Sequence, residues 1–537
     1  MKRTVIIAAL ALGALMGGRT IRAQGDYFKT ATYTPAALPV FQETRSKLPA
    51  PIFDENPLYV RMYWKAWELA FRNFHEPAPK SGFVSQFIDA AFNQNIFLWD
   101  TCFLTMFCNY AHPLVPGIGS LDNFYAKQHE DGEICREINR TTGIDFKEWV
   151  NREGQDLFSR WGKYPVTYVD REVPEPAPVL TLDALNHPIL AWAEWESLRI
   201  TGDHTRLERV YEPLVRYYRA LQKYLRQGNG LYVTDWASMD NSPRNPFLER
   251  GGTAIDISSE MVMFGDQLAE FALLLGKKKE AAAFRMEATE TAGLIREKMW
   301  DPQDEFFYDL TLNGGRAGIK TVAGYWTLLA GVATQEQADA LAAELKNPRT
   351  FGRTHRIPTL AADQPGYDRY GGYWRGAVWA PTETMVIRGL ERYGKDSLAR
   401  EIALEHLQQI GAVFDETGTV WENYSADTTA PGRPAKPDFV GWTGIGPILY
   451  LIEFAIGIKA DAVRNRIDWN VTTPLRVGIE KLRFGDKTVD LVCDAAGENG
   501  TRTLRVSSSK PFTLIVRWRG MEARLEVPGG EELIQQF

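Results

Sequence analysis

Apolar residues recur at helical spacing along most of this chain, and the recurrence predicts twelve helices. They fall at 59–74, 99–110, 121–129, 188–200, 207–225, 257–275, 278–299, 321–331, 335–345, 377–393, 397–410 and 439–455. Several pair through short turns, such as Thr201-Gly202-Asp203 and Gly394-Lys395-Asp396. Twelve helices in consecutive hairpins predict a mainly α fold: an (α/α)6 barrel, six inner helices ringed by six outer ones. A helical solenoid would share the periodicity, but these hairpins carry no repeating signature.

The period changes near the end. From about Leu475, apolar and polar residues alternate in KLRFGDKTVDLVCDA, TRTLRVSSS, FTLIVRWRG and EARLEVPGG, which reads as short strands joined by Gly and Asn-Gly turns. The expected organisation is a barrel over 58–470 and a small antiparallel β-domain over 471–537, structural or carbohydrate-binding. Residues 24–57 are rich in Pro and Thr and read as an extended arm across the surface. At the start, Lys2 and Arg3 precede an apolar run from Val5 to Met16, with a plausible cleavage point at Ala23-Gln24. Residues 1–23 therefore read as a secretory signal peptide, and the expected destination is the periplasm or beyond. The run is too short for a membrane span.

Composition narrows the function classes. The 537 residues are 45% hydrophobic and 24% charged, an ordinary globular balance. A net charge of −7 gives no reason to expect nucleic acid as a partner. Four cysteines are too few for a disulfide framework, and the seven histidines show no metal-ligand spacing, so neither a metal nor a cofactor is expected. The 16 Trp, 21 Tyr and 27 Phe mostly build a core, but some could stack on sugar rings.

Two acids stand out. Asp240 lies in DWASMDNSPRNP beside Trp236, Met239, Asn241 and Arg244. Such a loop could be only a turn, yet an apolar neighbourhood would keep a carboxyl protonated, as a general acid requires. Glu422 lies in GTVWENYSAD. Paired carboxyl groups across a sugar are the minimal machinery for cleaving a glycosidic bond. Around them, FLWDT offers Trp99 and Asp100, with Asp100 equally readable as a helix N-cap. QHEDGEICRE offers Arg136, GGYWRGAVW offers Tyr373, Trp374, Arg375 and Trp379, and FVGWTGIGPI offers Trp442.

The stretches LWDTCF, QHEDGEICREI, HPILAWAEWESLRITGD, SMDNSPR, AIDISSEM, GGYWRGAVW, WENYSAD and FVGWTGIGP run in order over about 97–446. In them the chain resembles glycoside hydrolase family 63 and the related mannosylglycerate hydrolases and trehalases. The resemblance does not reach the N-terminal β-sandwich of larger members, and the HEDGEIC loop departs from the commoner pattern. It implies an inverting hydrolase of α-linked glycosides, α-glucosides first, on the same barrel. It also implies Asp240 as general acid, Glu422 as general base, and Trp99, Asp100, Arg136, Arg244, Trp374 and Arg375 around the sugar. An oligosaccharide or glycoside is then the expected partner. Two other classes fit such a barrel: a polysaccharide lyase or sugar epimerase, which needs a His or Tyr base, and a non-catalytic glycan-binding protein.

Overall fold

The computed structural model describes residues 27–145, 187–234, 239–249, 251–497 and 500–536. The expected signal peptide and Trp236 lie outside the described residues. Each expected helix has a helical counterpart. The outer set is α1 (Pro57–Arg72), α3 (Asp122–Ala126), α5 (His204–Leu225), α7 (Lys278–Lys298), α9 (Gln335–Glu344) and α11 (Asp396–Thr417). The inner set is α2 (Leu98–Cys108), α4 (Leu190–Thr201), α6 (Ile255–Leu274), α8 (Trp326–Leu329), α10 (Ala380–Arg392) and the π-helical α12 (Ile445–Ile456).

Local chemistry sets several helix starts. Asn56 caps α1 by accepting from the Leu58 N–H at 3.2 Å, with Pro57 in the first helical position. Asp203 accepts from the N–H groups of Thr205 and Arg206 at 3.0 and 3.1 Å, which starts α5 just after α4 ends at Gly202. Burial then divides the helices. α2 and α12 are buried at every residue, whereas α1, α5 and α7 bury one stripe.

The inner helices close a ring. α2 packs on α4, α4 on α6, α6 on α8, α8 on α10, α10 on α12, and α12 back on α2. Because each hairpin reverses the chain, the inner helices share one direction, and the loops entering them meet at one end. Near the other end a buried ion cluster joins three of them. Glu453 of α12 meets Arg388 of α10 at 2.6 Å and Arg199 of α4 at 3.4 Å, and accepts from the Tyr110 hydroxyl at 2.5 Å. Burial opposes this charge, but Arg388 and Arg199 hold the Glu453 carboxyl well below its usual range.

The β-domain is larger than the sequence pattern suggests, and its boundary moves. β4 (Ile458–Asp461) and β5 (Arg466–Asn470) follow α12 directly after Gly457, whose φ of 91° ends the helix. They precede the expected start at 471 because each is short and their apolar alternation (Ile458, Ala460, Ile467, Trp469) is broken by a turn. The later strands are β6 (Val477–Phe484), β7 (Lys487–Cys493), β8 (Thr503–Ser508), β9 (Phe512–Trp518), β10 (Met521–Val527) and β11 (Glu532–Gln536). The N-terminal arm contributes β1 (Ala50–Phe53), antiparallel to β6, so one sheet runs β1-β6-β7-β8-β11. The other runs β10-β9-β5-β4, and its β9–β5 pairing is parallel, which corrects the purely antiparallel expectation. Strands β4 and β6 pack on α4 and α12, away from the loops described below. Among the described residues, which include all four cysteines, there is no disulfide, and no helix is long and apolar enough to cross a membrane.

Removing the Glu453 charge would leave Arg199 and Arg388 with Glu196 and Glu391 as their remaining counter-charges. Glu453→Gln is therefore expected to cost about 1.5–3 kcal/mol of stability, measured by urea denaturation; an unchanged stability would contradict this role.

Candidate active site

Glu422 lies on the segment between α11 and α12, and the structure fixes it from three sides. Its backbone N–H donates to the Lys436 carbonyl at 2.9 Å, and its carbonyl accepts from the Trp442 indole at 3.0 Å. Its carboxylate accepts from the Lys436 N–H at 3.0 Å and from the Tyr373 hydroxyl at 3.1 Å. The side chain is largely buried. Burial pushes its carboxyl above the usual range, while the Lys436 N–H and the Tyr373 hydroxyl pull it back.

Tyr373 belongs to the loop that enters α10. It has a φ of 64°, a left-handed conformation that costs a non-glycine residue energy and persists only where the surroundings impose it. The glycines beside it allow the fold of this loop: at Gly376, φ 144°, a Cβ would meet the Asp368 carbonyl oxygen at 2.6 Å. Burial, Glu422, Asp240 and Asp100 all raise the Tyr373 phenol, which therefore remains a neutral donor.

Asp240 enters from the loop before α6. Asn241 clamps this loop to the Tyr373 loop, donating to the Gly372 carbonyl at 3.0 Å and accepting from the Trp374 N–H at 2.9 Å. Asn245 donates to the Met239 and Asp240 carbonyls at 2.9 and 3.3 Å. Below them, Arg244 is fully buried between Asp256 and Asp309. Its Nε and Nη2 donate to Asp309 at 2.8 and 2.6 Å, and its Nη2 also reaches Asp256 at 3.0 Å. Asp309 in turn accepts from the Ile255 N–H at 2.9 Å, at the start of α6. One sugar-contact expectation is thereby corrected: Arg244 is fully buried and spends its donors on buried carboxylates, whereas Asn241, which joins the two loops, is exposed.

The third contribution comes from α2. Its cap is Phe97, so Asp100 sits inside the first turn rather than at the N-cap. β2 (Asn95–Phe97) pairs with β3 (Glu137–Asn139), and the Leu98 N–H donates to the Arg136 carbonyl at 2.8 Å. This brings Trp99 and Asp100 beside Arg136 and Glu137, whose side chains lie 3.8 Å apart. Burial, with Asp89, Asp240 and Glu137 nearby, raises the Asp100 carboxyl well above its usual range. The loop before Arg136 is anchored on α5: at Gly132, φ 96°, a Cβ would meet the Arg216 carbonyl oxygen at 2.4 Å.

Aromatic rings line the junction. Trp374 stacks on Trp379 at 4.4 Å and 5°, Trp379 meets Tyr373 at 4.8 Å and Trp442 at 5.4 Å, and Trp442 meets Phe92 at 5.2 Å. Trp379 is 0% exposed, so it braces this stack and does not present a face to a sugar, which corrects a second expectation. Arg375 is exposed and donates to the Gly366 carbonyl at 2.8 Å. The loops thus gather Asp100, Arg136, Asp240, Tyr373, Glu422 and Trp442 at one end of the ring, with Glu422 bonded to Tyr373 and Asp240 beside the Asn241 junction.

The model of the mannosylglycerate hydrolase MGH1-like glycoside hydrolase domain matches residues 164–443, over half of the chain. The chain belongs to this family. It is a glycoside hydrolase. A Borreliella burgdorferi protein with no described function is 25% identical over 443 residues, covering 80% of this chain and 86% of its own. Among solved structures, the GH63 mannosylglycerate hydrolase of Thermus thermophilus in complex with glucose superposes with a TM-score of 0.53 at 19% identity. That match covers 72% of this chain and 99% of the other. An α-L-rhamnosidase from Aspergillus terreus gives 0.55 at 13%, covering 91% of this chain and 50% of its own. At such identities the likeness concerns the fold.

Within this MGH1-like hydrolase, sequence reasoning passed over several residues around the site. Asp89, which pairs with Arg140, adds to the charge near Asp100. Phe92 packs on Phe439 and Trp442 and carries the Lys436 ammonium over its ring at 5.3 Å. His187 stacks on Trp99 at 4.2 Å and bonds Glu260 at 2.9 Å, and Glu260 accepts from the Trp326 indole at 2.7 Å. Only the His-Pro opening of the α4 stretch hinted at His187, and nothing in the sequence singles out the Lys436 backbone.

Arg244→Met should destabilise the fold by about 3–5 kcal/mol in urea unfolding, because Asp256 and Asp309 would be left buried without their cation. An unchanged midpoint would contradict that clamp. Tyr373→Phe should move the acidic limb of the kcat/KM profile to higher pH, because the hydrogen bond it removes favours the ionised form of Glu422. A limb that stays in place would separate Glu422 from the essential base.

Proposed function

We propose that this glycoside hydrolase cleaves α-linked glycosides, α-glucosides first, with inversion at the anomeric carbon. The observation that carries the reading is the placement of Tyr373: it hydrogen-bonds Glu422, and the residues on either side of it bond Asn241, next to Asp240. Two loops far apart in sequence therefore bring their carboxyl groups to one place. The family membership replaces the lyase, epimerase and non-catalytic readings with hydrolysis.

In this mechanism Asp240, protonated, donates to the glycosidic oxygen as the bond breaks. Glu422, ionised, takes a proton from a water on the opposite face of the ring, and that water attacks the anomeric carbon. Tyr373 and the Lys436 N–H hold the Glu422 carboxylate in one orientation and stabilise its charge. Burial raises Glu422, which strengthens it as a base near neutral pH. Asp100, kept toward its neutral form by burial and three neighbouring acids, serves as a hydroxyl-binding group beside Asp240. Arg136 supplies a cation on the same side of the site.

An α-mannoside of glycerate is the second reading, favoured by the mannosylglycerate hydrolase among the structural neighbours, one form of which was solved with Tris and D-glycerate. A panel of α-linked disaccharides, aryl α-glycosides and mannosylglycerate, followed by NMR, tests both. The α-glucoside should be turned over fastest and yield the β-anomer first. Asp240→Asn and Glu422→Gln should each lower kcat by at least about 10²–10⁴-fold while sugar binding survives. An α-anomer as the first product, or near-normal turnover in either variant, would overturn the mechanism.

A further inference from the structure

Behind the segment that carries Glu422 lies a polar cluster that the hydrolysis does not use. His355 from the loop between α9 and α10, Glu383 of α10 and His406 of α11 are all fully buried. One ligand-type atom from each converges, all within 4.8 Å of one another. His355 Nε2 lies 3.0 Å from His406 Nδ1, and Glu383 Oε2 lies against that same Nδ1. Neither Glu383 oxygen meets a well-aligned hydrogen-bond donor among the described residues, nor does His406 Nε2.

We propose that His355, Glu383 and His406 bind a divalent transition-metal ion, zinc by ligand type, as a structural centre in the barrel wall. Two imidazoles and one carboxylate are a zinc-type donor set. Around an ion with bonds of about 2.0–2.1 Å, tetrahedral donors sit about 3.3 Å apart, so small side-chain shifts bring these three into place. As a hydrogen-bonded set alone, the single His406 Nδ1 would have to serve both His355 Nε2 and Glu383 Oε2. A cation satisfies all three lone pairs at once and compensates a carboxylate that otherwise lacks a full counter-charge in the core.

The surroundings favour a built centre. Gly446 of α12 packs on His406, where a Cβ would meet Nε2 at 2.9 Å, so the absence of a side chain there makes room for the imidazole. The Tyr424 ring lies 6.0 Å from that of His355 and 6.3 Å from that of His406, and the His355 backbone N–H donates to the Ala426 carbonyl at 2.9 Å. Tyr424 also accepts from the Trp421 N–H at 3.0 Å, one residue from Glu422. The centre thus braces the strand-like run that carries Glu422. The three ligands are far apart in sequence, which is why ligand spacing gave no sign of them.

The test uses the full-length protein without an affinity tag. Elemental analysis after dialysis should find about one zinc or similar ion per chain. Chelation should lower the melting temperature, and zinc should restore it. Cobalt(II) added to the stripped protein should give the visible ligand-field bands of a low-coordinate nitrogen and oxygen site. Glu383→Gln and His406→Ala should abolish those bands. If either variant fails to fold, zinc-edge X-ray absorption of the wild type decides: imidazole scattering from both histidines supports the site. Protein that neither retains metal nor responds to zinc or cobalt overturns it, as do cobalt bands that persist in folded variants or an absorption spectrum without imidazole.

Discussion

The loops at this end of the ring meet on one phenol. Tyr373 donates to Glu422 at 3.1 Å while its ring sits in the field of Asp240, so two loops from opposite sides of the inner ring must be pinned against it. A free loop would not hold such an arrangement, because ordering each backbone residue costs about 1–2 kcal/mol. The structure meets that cost with buried polar pairs directly behind the loops. The Arg244 clamp holds the Asp240 turn, the Asn241 amide joins it to the Tyr373 loop, and the Trp442 indole holds the Glu422 carbonyl.

The barrel makes these clamps available. Six inner helices running one way bring six entry loops to one end, and four of those loops supply Asp100, Asp240, Tyr373 and Glu422. At the other end the Glu453 cluster ties α4, α10 and α12 together. The β-domain packs on that side, so its sheets stabilise the ring without crowding the site. Its link to the N-terminal arm through β1 and β6 makes the two ends of the chain one structural unit.

Much of this was legible in the sequence. The twelve helices were, because an outer helix shows one apolar stripe and inner helices such as α2 and α12 are apolar nearly all round, and both recur at the helical period. The two acids could be singled out, because each stands among aromatics and amides rather than among surface charges, and their roles as acid and base belong to the proposal. The roles of their neighbours were not legible. Arg244 and Trp379 have the composition of sugar-binding residues, but a buried guanidinium and a bracing indole draw on the same residue types. Only contacts separate the two uses. The domain boundary slipped because β4 and β5 are too short for their alternation to show. His355, Glu383 and His406 escaped because convergence across a barrel wall leaves no spacing in the chain.

The central claim is that Asp240 and Glu422 face each other across the scissile bond at a distance that admits a water. A crystal structure of Glu422→Gln with an uncleaved α-glucoside measures it. The account predicts a carboxyl-to-amide separation of about 6.5–9.5 Å with an ordered water on the residue 422 side of the anomeric carbon. A separation near 5 Å with no room for that water, or a sugar bound away from either side chain, would contradict it.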